Sequence, residues 1–594
     1  MDTHLMLGNE AVARGAWEAG VQVAAAYPGT PSTEIVTNLA RYDGVYAEWS
    51  TNEKVAYEVA FGAAVGGVRA LTAMKSAGAS VAADPLISSV YTGICGGLVV
   101  VVAGDPGMSS GMTEQDDRYF GRISGMPMLE PADSQECHDF VRLAFELSET
   151  YDVPVMVRLS IQTAHQKSIV RVGERLAVER RDPGRHTDKY CLLPRFSRPL
   201  HASLLERVAR LRAYAEASPL TRVESGAGAF ARIGVIASGA AYISAREALP
   251  GATYLKLGVV HPLPVEAIRR FATTVERLFV VEELEPYLEE QILAAGVSVE
   301  GKQWFSPLDE LTPQRVGRGF YAAGLDLPRW AEQKAAEDDS VIPRPPVLCS
   351  GCPHRGMATA MKKLDLDVHG DIGCYDLTSL PPVGHMHSAV EMGGSITMEQ
   401  GFQRAGGSKK GSLAVIGDST FFHSGLTGLL NAVHQRTNVT VLIQDNSITA
   451  MTGGQTNPGN ETTLAGVATK PLDLAAICAA LGVEHIETVD PYDYEACLAA
   501  LKAGLAFDGP AVIVTNRPCM LFPSKVGAEG VYEVDEALCN ACQQCLALGC
   551  PSLHHTGVVY RKRHRVEIDA STCTGCSLCA QLCRPGAIAK AGGV

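Results

Sequence analysis

The sequence predicts a multidomain α/β protein, built from parallel sheets, that ends in a smaller cysteine-rich α+β module. Its 594 residues exceed what one hydrophobic core usually serves. Short apolar runs alternate with helical patterns over most of the chain, which is typical of parallel sheets covered by helices. Eight of the 17 cysteines stand within residues 539–583, so this end is expected to fold as a module of its own.

Charge and composition exclude several classes of protein. The net charge of −14 opposes the phosphate attraction on which nonspecific nucleic-acid binding depends. We find neither the basic and apolar parts of a secretory signal nor an apolar run long enough to span a bilayer. A cytoplasmic protein is therefore expected, and in that reducing compartment clustered cysteines bind metal or do redox chemistry more often than they form disulfides.

The strand and helix patterns divide the chain into successive segments. An α/β domain is expected over residues 1–170, and a charged linker with one helix over residues 171–230. A central α/β domain follows over residues 231–335, and a third α/β domain over residues 340–526. Residues 530–594 form the cysteine-rich module.

Two runs of cysteines in this module predict iron–sulfur clusters. Each run has three cysteines spaced Cys-x-x-Cys-x-x-Cys and then a fourth, which resembles the bacterial two-cluster ferredoxin pattern. Three thiolates on one loop can bind three corners of a [4Fe-4S] cube, and in that pattern the fourth ligand comes from the other run. The pairing joins Cys539, Cys542 and Cys545 with Cys583, and Cys573, Cys576 and Cys579 with Cys550. Cys550 and Pro585 each come one position later than the pattern has them, and a pair of zinc ribbons is the alternative.

The segment between the two runs, VYRKRHRVEID, predicts a two-stranded hairpin with a basic tip. Such a tip could dock an acidic electron carrier. It could also be an ordinary solvated surface, and the sequence leaves both interpretations open.

Two polar residues in the third domain predict a magnesium site. Asp418 follows the apolar run SLAVIG, and Asn446 follows NVTVLIQD. Because parallel sheets bind ligands beyond the carboxyl ends of their strands, both side chains are expected in the ligand crevice. Carboxylate and amide oxygens, completed by phosphate oxygens, suit octahedral Mg²⁺.

This spacing resembles the motif of thiamine diphosphate enzymes, in which Gly-Asp-x is followed further along the chain by an asparagine. Gly417, Asp418 and Ser419 correspond to the first part of that motif. The resemblance implies that the carbonyl of Ile448 is a further metal ligand. It also implies that the glycine-rich stretch VEMGGSITMEQG holds the diphosphate, and the residues concerned are Gly393, Gly394 and Ser395.

The first domain resembles the part of these enzymes that binds the aminopyrimidine ring. A glutamate on a small-residue helix there bonds the ring and makes its amino nitrogen a base. The helical stretch NEKVAYEVAFGAAVGGVRALTAMK carries Glu53 at that position; Glu58 is its rival, and a solvated helix face is the better interpretation of Glu58. The turn YPGTPSTEI resembles a turn whose threonine reaches the substrate, here Thr30. Considered without the resemblance, it is a strand-to-helix turn capped by Ser32 or Thr33.

Four dispersed cysteines resemble the ligands of a third iron–sulfur cluster, which is found in the thiamine-dependent oxidoreductases related to this chain. A Cys-x-x-Cys pair, a cysteine after Asp-Ile-Gly and a late cysteine bind that cluster beside the thiamine. The corresponding residues are Cys349, Cys352, Cys374 and Cys519, and buried thiols are the alternative. The cysteines without such counterparts are expected to be core thiols or incidental, namely Cys95, Cys137, Cys191, Cys478 and Cys497.

The domain order and these motifs together resemble large subunits of the thiamine-dependent 2-oxoacid:ferredoxin oxidoreductases over nearly the whole chain. The resemblance implies that residues 1–170 bind the pyrimidine and residues 340–526 the diphosphate with Mg²⁺. It implies decarboxylation of an aryl 2-oxoacid, with indolepyruvate favoured, to CO2 and the acyl-coenzyme A, with thiamine diphosphate as the electron sink. Electrons would pass singly through the clusters to ferredoxin. A smaller beta subunit is implied, in a dimer of heterodimers.

Other functions stay open at this point. A noncatalytic electron-transfer subunit would use the clusters without needing Glu53, Asp418 and Asn446. A nonoxidative thiamine decarboxylase would have no use for three clusters. The same oxidative chemistry on another 2-oxoacid is equally compatible, since no residue by itself proves an aromatic preference.

Overall fold

The computed structural model of the chain describes residues 2–327, 342, 345–522 and 530–592. These residues form two compact units, one over residues 1–338 and the other over residues 339–594. Within the described ranges, every helix is too short or too polar to cross a bilayer.

The first unit combines strands and helices in alternation. Its strands are β1 (Asp2–Leu7), β2 (Val23–Ala26), β3 (Tyr46–Trp49), β4 (Ala70–Lys75), β5 (Leu98–Gly104), β6 (Met128–Leu129), β7 (Val155–Ser160), β8 (Lys167–Val172), β9 (Arg222–Glu224), β10 (Ile233–Ser238), β11 (Thr253–Leu257), β12 (Val259–His261) and β13 (Arg277–Val281). Its helices are Gly8–Glu18, Thr33–Leu39, Glu53–Val65, Ser76–Val81, Ala83–Thr92, Arg118–Ser124, Ser134–Tyr151, Ile161–His165, Thr187–Tyr190, Pro194–Ala217, Gly239–Ala248, Val265–Ala272, Tyr287–Ala294 and Pro313–Ala322.

The main sheet of this unit has the order β12-β6-β7-β5-β4-β2-β3. Its strands run parallel except for β12, which pairs antiparallel with β6. All seven residues of β5 are buried, as expected for a central parallel strand that is covered on both faces. The edge strand β12 comes from residues 259–261, within the segment that the sequence analysis assigns to the central domain. A separate antiparallel pair joins β1 to β8.

A second sheet of the first unit has the order β13-β10-β11-β9. The neighbours β13, β10 and β11 are parallel, and β9 closes one edge antiparallel. The rings of Phe279, Phe305 and Phe320 pack edge to face beside it, with centroids 5.1 to 6.3 Å apart. This geometry is the one that aromatic rings prefer, so these rings give the second sheet a core of its own.

The second unit contains another parallel sheet and the cysteine-rich module. Its strands are β14 (Asp367–Gly370), β15 (Ser388–Ala389), β16 (Ser412–Gly417), β17 (Thr440–Asp445), β18 (His485–Val489), β19 (Ala511–Asn516), β20 (Tyr532–Val534), β21 (Leu553–Tyr560), β22 (Arg563–Ile568) and β23 (Ile588–Lys590). Its helices are His354–Leu364, Gly394–Arg404, Asp418–Thr420, Leu426–His434, Leu474–Ala480, Tyr494–Ala506 and Leu578–Gln581, with a π-helical turn at Phe421–Gly425.

The six-stranded sheet of this unit has the order β15-β14-β16-β17-β19-β18, and all its pairs are parallel. In the cysteine-rich module β20 pairs with β23, and β21 pairs with β22 in the expected hairpin. The module does not have a separate core. Its Leu548, Val566 and Leu578 pack in one hydrophobic cluster with Met357 and Leu501 of the sheet domain, so the cysteines are attached rigidly to the sheet that carries Asp418.

Candidate functional site

Asp418 and Asn446 follow two neighbouring parallel strands. β16 and β17 pair in register, and Gly417 lies opposite Gln444 at their carboxyl ends. Both polar residues therefore lie at one edge of the sheet, as the sequence predicts. Asp418 is 3% exposed and Asn446 is 7% exposed, so water screens the carboxylate poorly.

The carboxylate of Asp418 is buried close to a second carboxylate. Burial and the nearby carboxylate of Asp445 raise the pKa of Asp418 to about 7. The side-chain amide of Asn457 donates to Asp418 Oδ2 at 2.8 Å and partly opposes this rise. A divalent cation would relieve the repulsion between the two carboxylates. Asp445 is visible in the sequence beside Asn446 at the end of the same apolar run, but no role is predicted for it; Asn457 lies in a polar loop without a periodic signal and is not predicted.

Asn446 is held in place by two further contacts. Its Oδ1 accepts the backbone N–H of Ile448 at 3.2 Å. Its Nδ2 lies 3.4 Å from Nε2 of His354. Burial lowers the pKa of His354 to about 4, so the neutral ring can accept this bond. His354 was also missed, because its position beside Cys352 gives no sequence signal of a contact with Asn446.

The carboxylate of Asp371 holds the glycine-rich loop in place through hydrogen bonds to its backbone. Gly393 has a φ of 93°, and a Cβ there would collide with Ser424, so only glycine fits. Asp371 Oδ1 accepts the N–H of Gly393 at 2.9 Å, and its Oδ2 accepts the N–H of Ser395 at 3.1 Å. These two N–H groups are thus engaged within the protein. Asp371 fixes the shape of the loop; its only sequence signal was its place before Ile372 in the Asp-Ile-Gly stretch.

Glu53 is the first residue of the helix Glu53–Val65 and is 2% exposed. The helix begins there because Asn52 caps it: its side chain accepts the N–H of Val55 at 2.9 Å. The helix Ser76–Val81 passes very close, since a Cβ on Gly78 would lie 2.6 Å from Cγ and Oε1 of Glu53. The rival, Glu58, is exposed and forms an ion pair with Lys54 one turn away, which agrees with its interpretation as a solvated residue.

Thr30 and Glu53 both lie beyond the carboxyl edge of the main sheet in the first unit. Thr30 is half-buried in the turn after β2, and Glu53 begins the helix after β3. β2 and β3 are adjacent and parallel. Parallel pairing places the two residues at the same edge, where ligands of such sheets bind.

The expected helix cap in the same turn is wrong. Ser32 has helical backbone angles, and its hydroxyl donates backwards to the carbonyl of Gly29 at 2.8 Å. Its side chain therefore does not accept a backbone N–H of the helix Thr33–Leu39. Thr33 lies inside the helix, one position too late to cap it.

The four dispersed cysteines lie within electrostatic range of one another. Burial raises the pKa of Cys352 to about 12 and that of Cys374 to about 11, and the thiol of Cys349 adds to both shifts. Burial also raises the pKa of Cys519, with further contributions from Cys349 and from Asp418. The backbone N–H of Cys519 donates to the carbonyl of Asn446 at 2.9 Å, which places this cysteine beside the candidate metal site.

The eight cysteines of the module line two small cavities. Each cavity takes three cysteines from one run and one from the other. The first is lined by Cys539, Cys542, Cys545 and Cys583, and the second by Cys550, Cys573, Cys576 and Cys579. Burial raises the pKa of Cys545 to about 11 and that of Cys579 to about 12, and neighbouring thiols add to both.

In the part of the chain that the structure describes, no three His, Cys, Asp or Glu side chains converge enough to hold one metal ion. Among the other thiols, Cys137, Cys478 and Cys497 are buried, Cys95 is half-buried and Cys191 is exposed.

The chain matches two family models. Residues 14–206 match "Pyruvate flavodoxin/ferredoxin oxidoreductase, thiamine diP-bdg". Residues 371–515 match "Thiamine pyrophosphate enzyme, C-terminal TPP binding domain". The first match contains Thr30 and Glu53, and the second contains the loop at Gly393 together with Asp418 and Asn446.

Curated relatives match over almost the whole chain. Indolepyruvate oxidoreductase subunit IorA of Pyrococcus horikoshii is 37% identical over 633 residues, which cover 99% of this chain and 96% of that protein. The subunit of the same name from Archaeoglobus fulgidus is 37% identical over 618 residues, 99% of this chain and 97% of its own. A solved 2-oxoglutarate:ferredoxin oxidoreductase from Magnetococcus marinus overlaps 54% of this chain and 65% of its own, with 19% identity and a TM-score of 0.44.

The two thiamine models and the relatives define the class: the protein is a thiamine diphosphate-binding 2-oxoacid:ferredoxin oxidoreductase. The 37% identity to the two named relatives extends over nearly the full length of this chain and of each relative. The chain therefore belongs to the indolepyruvate oxidoreductase subunit IorA family.

Proposed function

We propose that this chain oxidatively decarboxylates an aryl 2-oxoacid, with indolepyruvate favoured, to CO2 and the acyl-coenzyme A, and passes the electrons singly to ferredoxin. One observation carries the proposal: the backbone N–H of Cys519 donates to the carbonyl of Asn446 at 2.9 Å, so this cysteine adjoins the proposed magnesium site. A redox group on the four dispersed cysteines would therefore lie beside the diphosphate end of the cofactor. A nonoxidative decarboxylase would not need that proximity.

The residues of the second unit fit the diphosphate end of the cofactor. Asp418, Asn446 and the carbonyl of Ile448 would bind Mg²⁺, because they offer the oxygen ligands that this ion prefers. The raised pKa of Asp418 fits a carboxylate whose charge a cation balances. The chain segments around the phosphates would be Gly393, Gly394, Ser395, Gly417 and Ser419.

The residues of the first unit would act on the ring end and on the substrate. Thiamine diphosphate supplies a carbon nucleophile and an electron sink when it is bound. Glu53 would accept a hydrogen bond from the aminopyrimidine ring and keep a proton there, and its burial would keep water away from that bond. Thr30, at the same sheet edge, would contact the substrate.

The three groups of cysteines would each hold a [4Fe-4S] cluster. The ligand sets are Cys349, Cys352, Cys374 and Cys519; Cys550, Cys573, Cys576 and Cys579; and Cys539, Cys542, Cys545 and Cys583. Such clusters transfer one electron at a time, which suits a one-electron acceptor such as ferredoxin.

The hairpin β21–β22 would be the docking surface for ferredoxin. Gln543, in the loop between Cys542 and Cys545, donates its side-chain amide to the carbonyl of His564 at 3.0 Å, which ties the hairpin to one cluster loop. Arg561, Lys562 and Arg563 are exposed at the tip. A basic tip on a chain of net charge −14 would attract an acidic carrier to this one place.

The chain would work with a smaller partner subunit. The relatives carry the word "subunit" in their names, which supports a heteromeric enzyme, and a dimer of heterodimers is the proposed assembly. Anaerobic purification with iron, sulfide and thiamine analysis tests the cofactors. Viologen reduction by indolepyruvate, phenylpyruvate and pyruvate, with and without coenzyme A, tests the reaction. Iron-free protein, or clusters that stay oxidised with every keto acid, would overturn the proposal.

A further inference from the structure

One buried guanidinium in the second unit lies between two of the cysteine groups. Arg355, the second residue of the helix His354–Leu364, is 2% exposed. Its Nε and Nη2 donate to the carbonyl of Cys349 at 3.1 and 3.0 Å, and Nη2 also donates to the carbonyl of Leu348. Its Nη1 donates to the carbonyl of Leu548 at 2.6 Å. Arg355 therefore links the loop of the dispersed set to the cysteine-rich module.

The positive charge of Arg355 has no anionic partner in the described ranges, because all its acceptors there are neutral backbone carbonyls. Hydrogen bonds to carbonyls satisfy its N–H groups but leave its charge uncompensated. A buried charge of this kind is costly unless an opposite charge lies close by.

Arg355 contacts the loops of both cysteine groups. The carbonyl of Cys349 accepts from its Nε and Nη2, and the carbonyl of Leu548, two residues before Cys550, accepts from its Nη1. A Cβ on Gly549 would lie 3.5 Å from the same Nη1. Cysteines bind metal only as thiolates, and a thiolate-bound cluster carries net negative charge. A cation between two such groups would compensate both.

The loops that carry the two cysteine groups also contact each other near Arg355. Gly351, between Cys349 and Cys352, lines the same cavity as Cys550, Cys573, Cys576 and Cys579. A Cβ at Gly351, whose φ is 65°, would collide with Thr574. The hydroxyls of Ser350 and Ser552 lie 2.8 Å apart. The contact is close and specific, so a cluster in one group would adjoin a cluster in the other.

We propose that Arg355 is the shared counter-cation of two iron–sulfur clusters, one on the dispersed cysteines and one on Cys550, Cys573, Cys576 and Cys579, and that it fixes them as consecutive positions for the electron. This inference rests on the proposed function, because it requires both clusters. Arg355 is a positioning residue. Its charge would act on both clusters, and its hydrogen bonds to backbone carbonyls would fix the distance between them.

The test compares a neutral and a charged replacement in the anaerobically purified holoprotein. Cluster midpoint potentials are measured by redox titration followed by EPR. Removing the charge disfavours the more negative, reduced state, so Arg355→Gln should lower the potentials of two of the three clusters and leave the third unchanged. Arg355→Lys keeps the charge and should leave the potentials close to those of the wild type. The matched control is Arg207→Gln, since Arg207 is buried and donates to backbone carbonyls in the first unit; it should shift none.

Two results would overturn the inference: equal potentials in the Gln variant and the wild type at full iron content, or equal shifts in the Gln and Lys variants. If the Gln variant does not fold, the Lys variant decides, and shifted potentials there reject the charge role. A wild-type protein without iron would instead reject the proposed function before any variant is compared.

Discussion

Cys583 and Cys545 line the same cavity, and Cys583 adds to the burial that raises the pKa of Cys545, although the two cysteines belong to different runs. The cysteine that completes each group of four therefore comes from the other run. Because each cysteine lines only one of the two cavities, loss of one fourth ligand should damage only one of the two proposed clusters. Cys583→Ala should remove the same EPR signal as Cys539→Ala, and Cys550→Ala should remove the signal that Cys573→Ala removes. Loss of the same signal in Cys583→Ala and Cys573→Ala would contradict the pairing.

Binding of Mg²⁺ and thiamine diphosphate should depend on the hydrogen bond between Asn457 and Asp418. Asp418→Ala removes a ligand and should abolish cofactor retention through gel filtration. Asn457→Ala removes only the amide that orients the Asp418 carboxylate, so the affinity for Mg²⁺ and thiamine diphosphate should fall by about 10- to 100-fold. Titration calorimetry with Mg²⁺ and thiamine diphosphate measures both. The matched control is Asn438→Ala at the far end of β17, and an Asn457→Ala variant that binds as tightly as this control would count against the site.

Catalysis should require the carboxylate of Glu53 at its present position. Glu53→Gln removes the charge and should lower turnover by about 10²- to 10⁴-fold, while bound thiamine diphosphate and iron content remain. Glu58→Gln, on the exposed part of the same helix, should keep full activity. Viologen reduction with indolepyruvate checks both variants.

Gly78 supplies an independent test of Glu53. A Cβ there would lie 2.6 Å from the Glu53 carboxylate, so Gly78→Ala should displace Glu53 and lower turnover without removing any charged group. Full activity in Gly78→Ala would mean that the position of Glu53 is not critical. An equal loss in Glu58→Gln would assign the effect to the helix as a whole.

The ends of the parallel strands can be predicted from the sequence for a physical reason. Buried parallel strands are nearly continuous apolar runs, so the polar residue that ends each run, such as Asp418, is visible. Contacts that join distant loops leave no such periodic signal. The bond from Asn457 to Asp418, the brace of Asp371 under Gly393, and the link from Arg355 to Leu548 all depend on tertiary packing. Ser32 is not a cap for a local reason, because its hydroxyl donates to the carbonyl of Gly29 three residues earlier.

Mild acid should destabilise the first unit through His261. Burial, and then the charges of Arg212 and Arg122, lower the pKa of His261 from its ordinary 6.5 to about 4. Its two ring nitrogens have no hydrogen-bond partner among the described residues. The unfolded chain then binds a proton more readily than the folded one, so stability is complete above about pH 6.5 and falls as the pH drops toward 4.

The expected loss from His261 is about 2 kcal/mol of unfolding free energy between pH 7 and pH 5. Urea unfolding at a series of pH values measures it. His261→Phe should flatten the pH dependence by about that amount, whereas His434→Phe, at an exposed histidine, should leave it unchanged. An unaltered slope in His261→Phe would show that other groups cause the acid sensitivity.

Electron delivery to ferredoxin should depend on the charge of the hairpin tip. Lys562→Glu with Arg563→Glu reverses two exposed cations beside the loop that Gln543 ties to the hairpin. Steering by charge raises association rates by about tenfold or more at low salt, so the KM for ferredoxin should rise at least about tenfold and lose most of its salt dependence. Reduction of viologen should not change, because viologen does not need the docking surface. The matched control reverses two exposed cations on the helix Pro194–Ala217, Arg195→Glu with Arg198→Glu. If both double variants raise the KM equally, the effect is one of net charge, and the hairpin is not the docking surface.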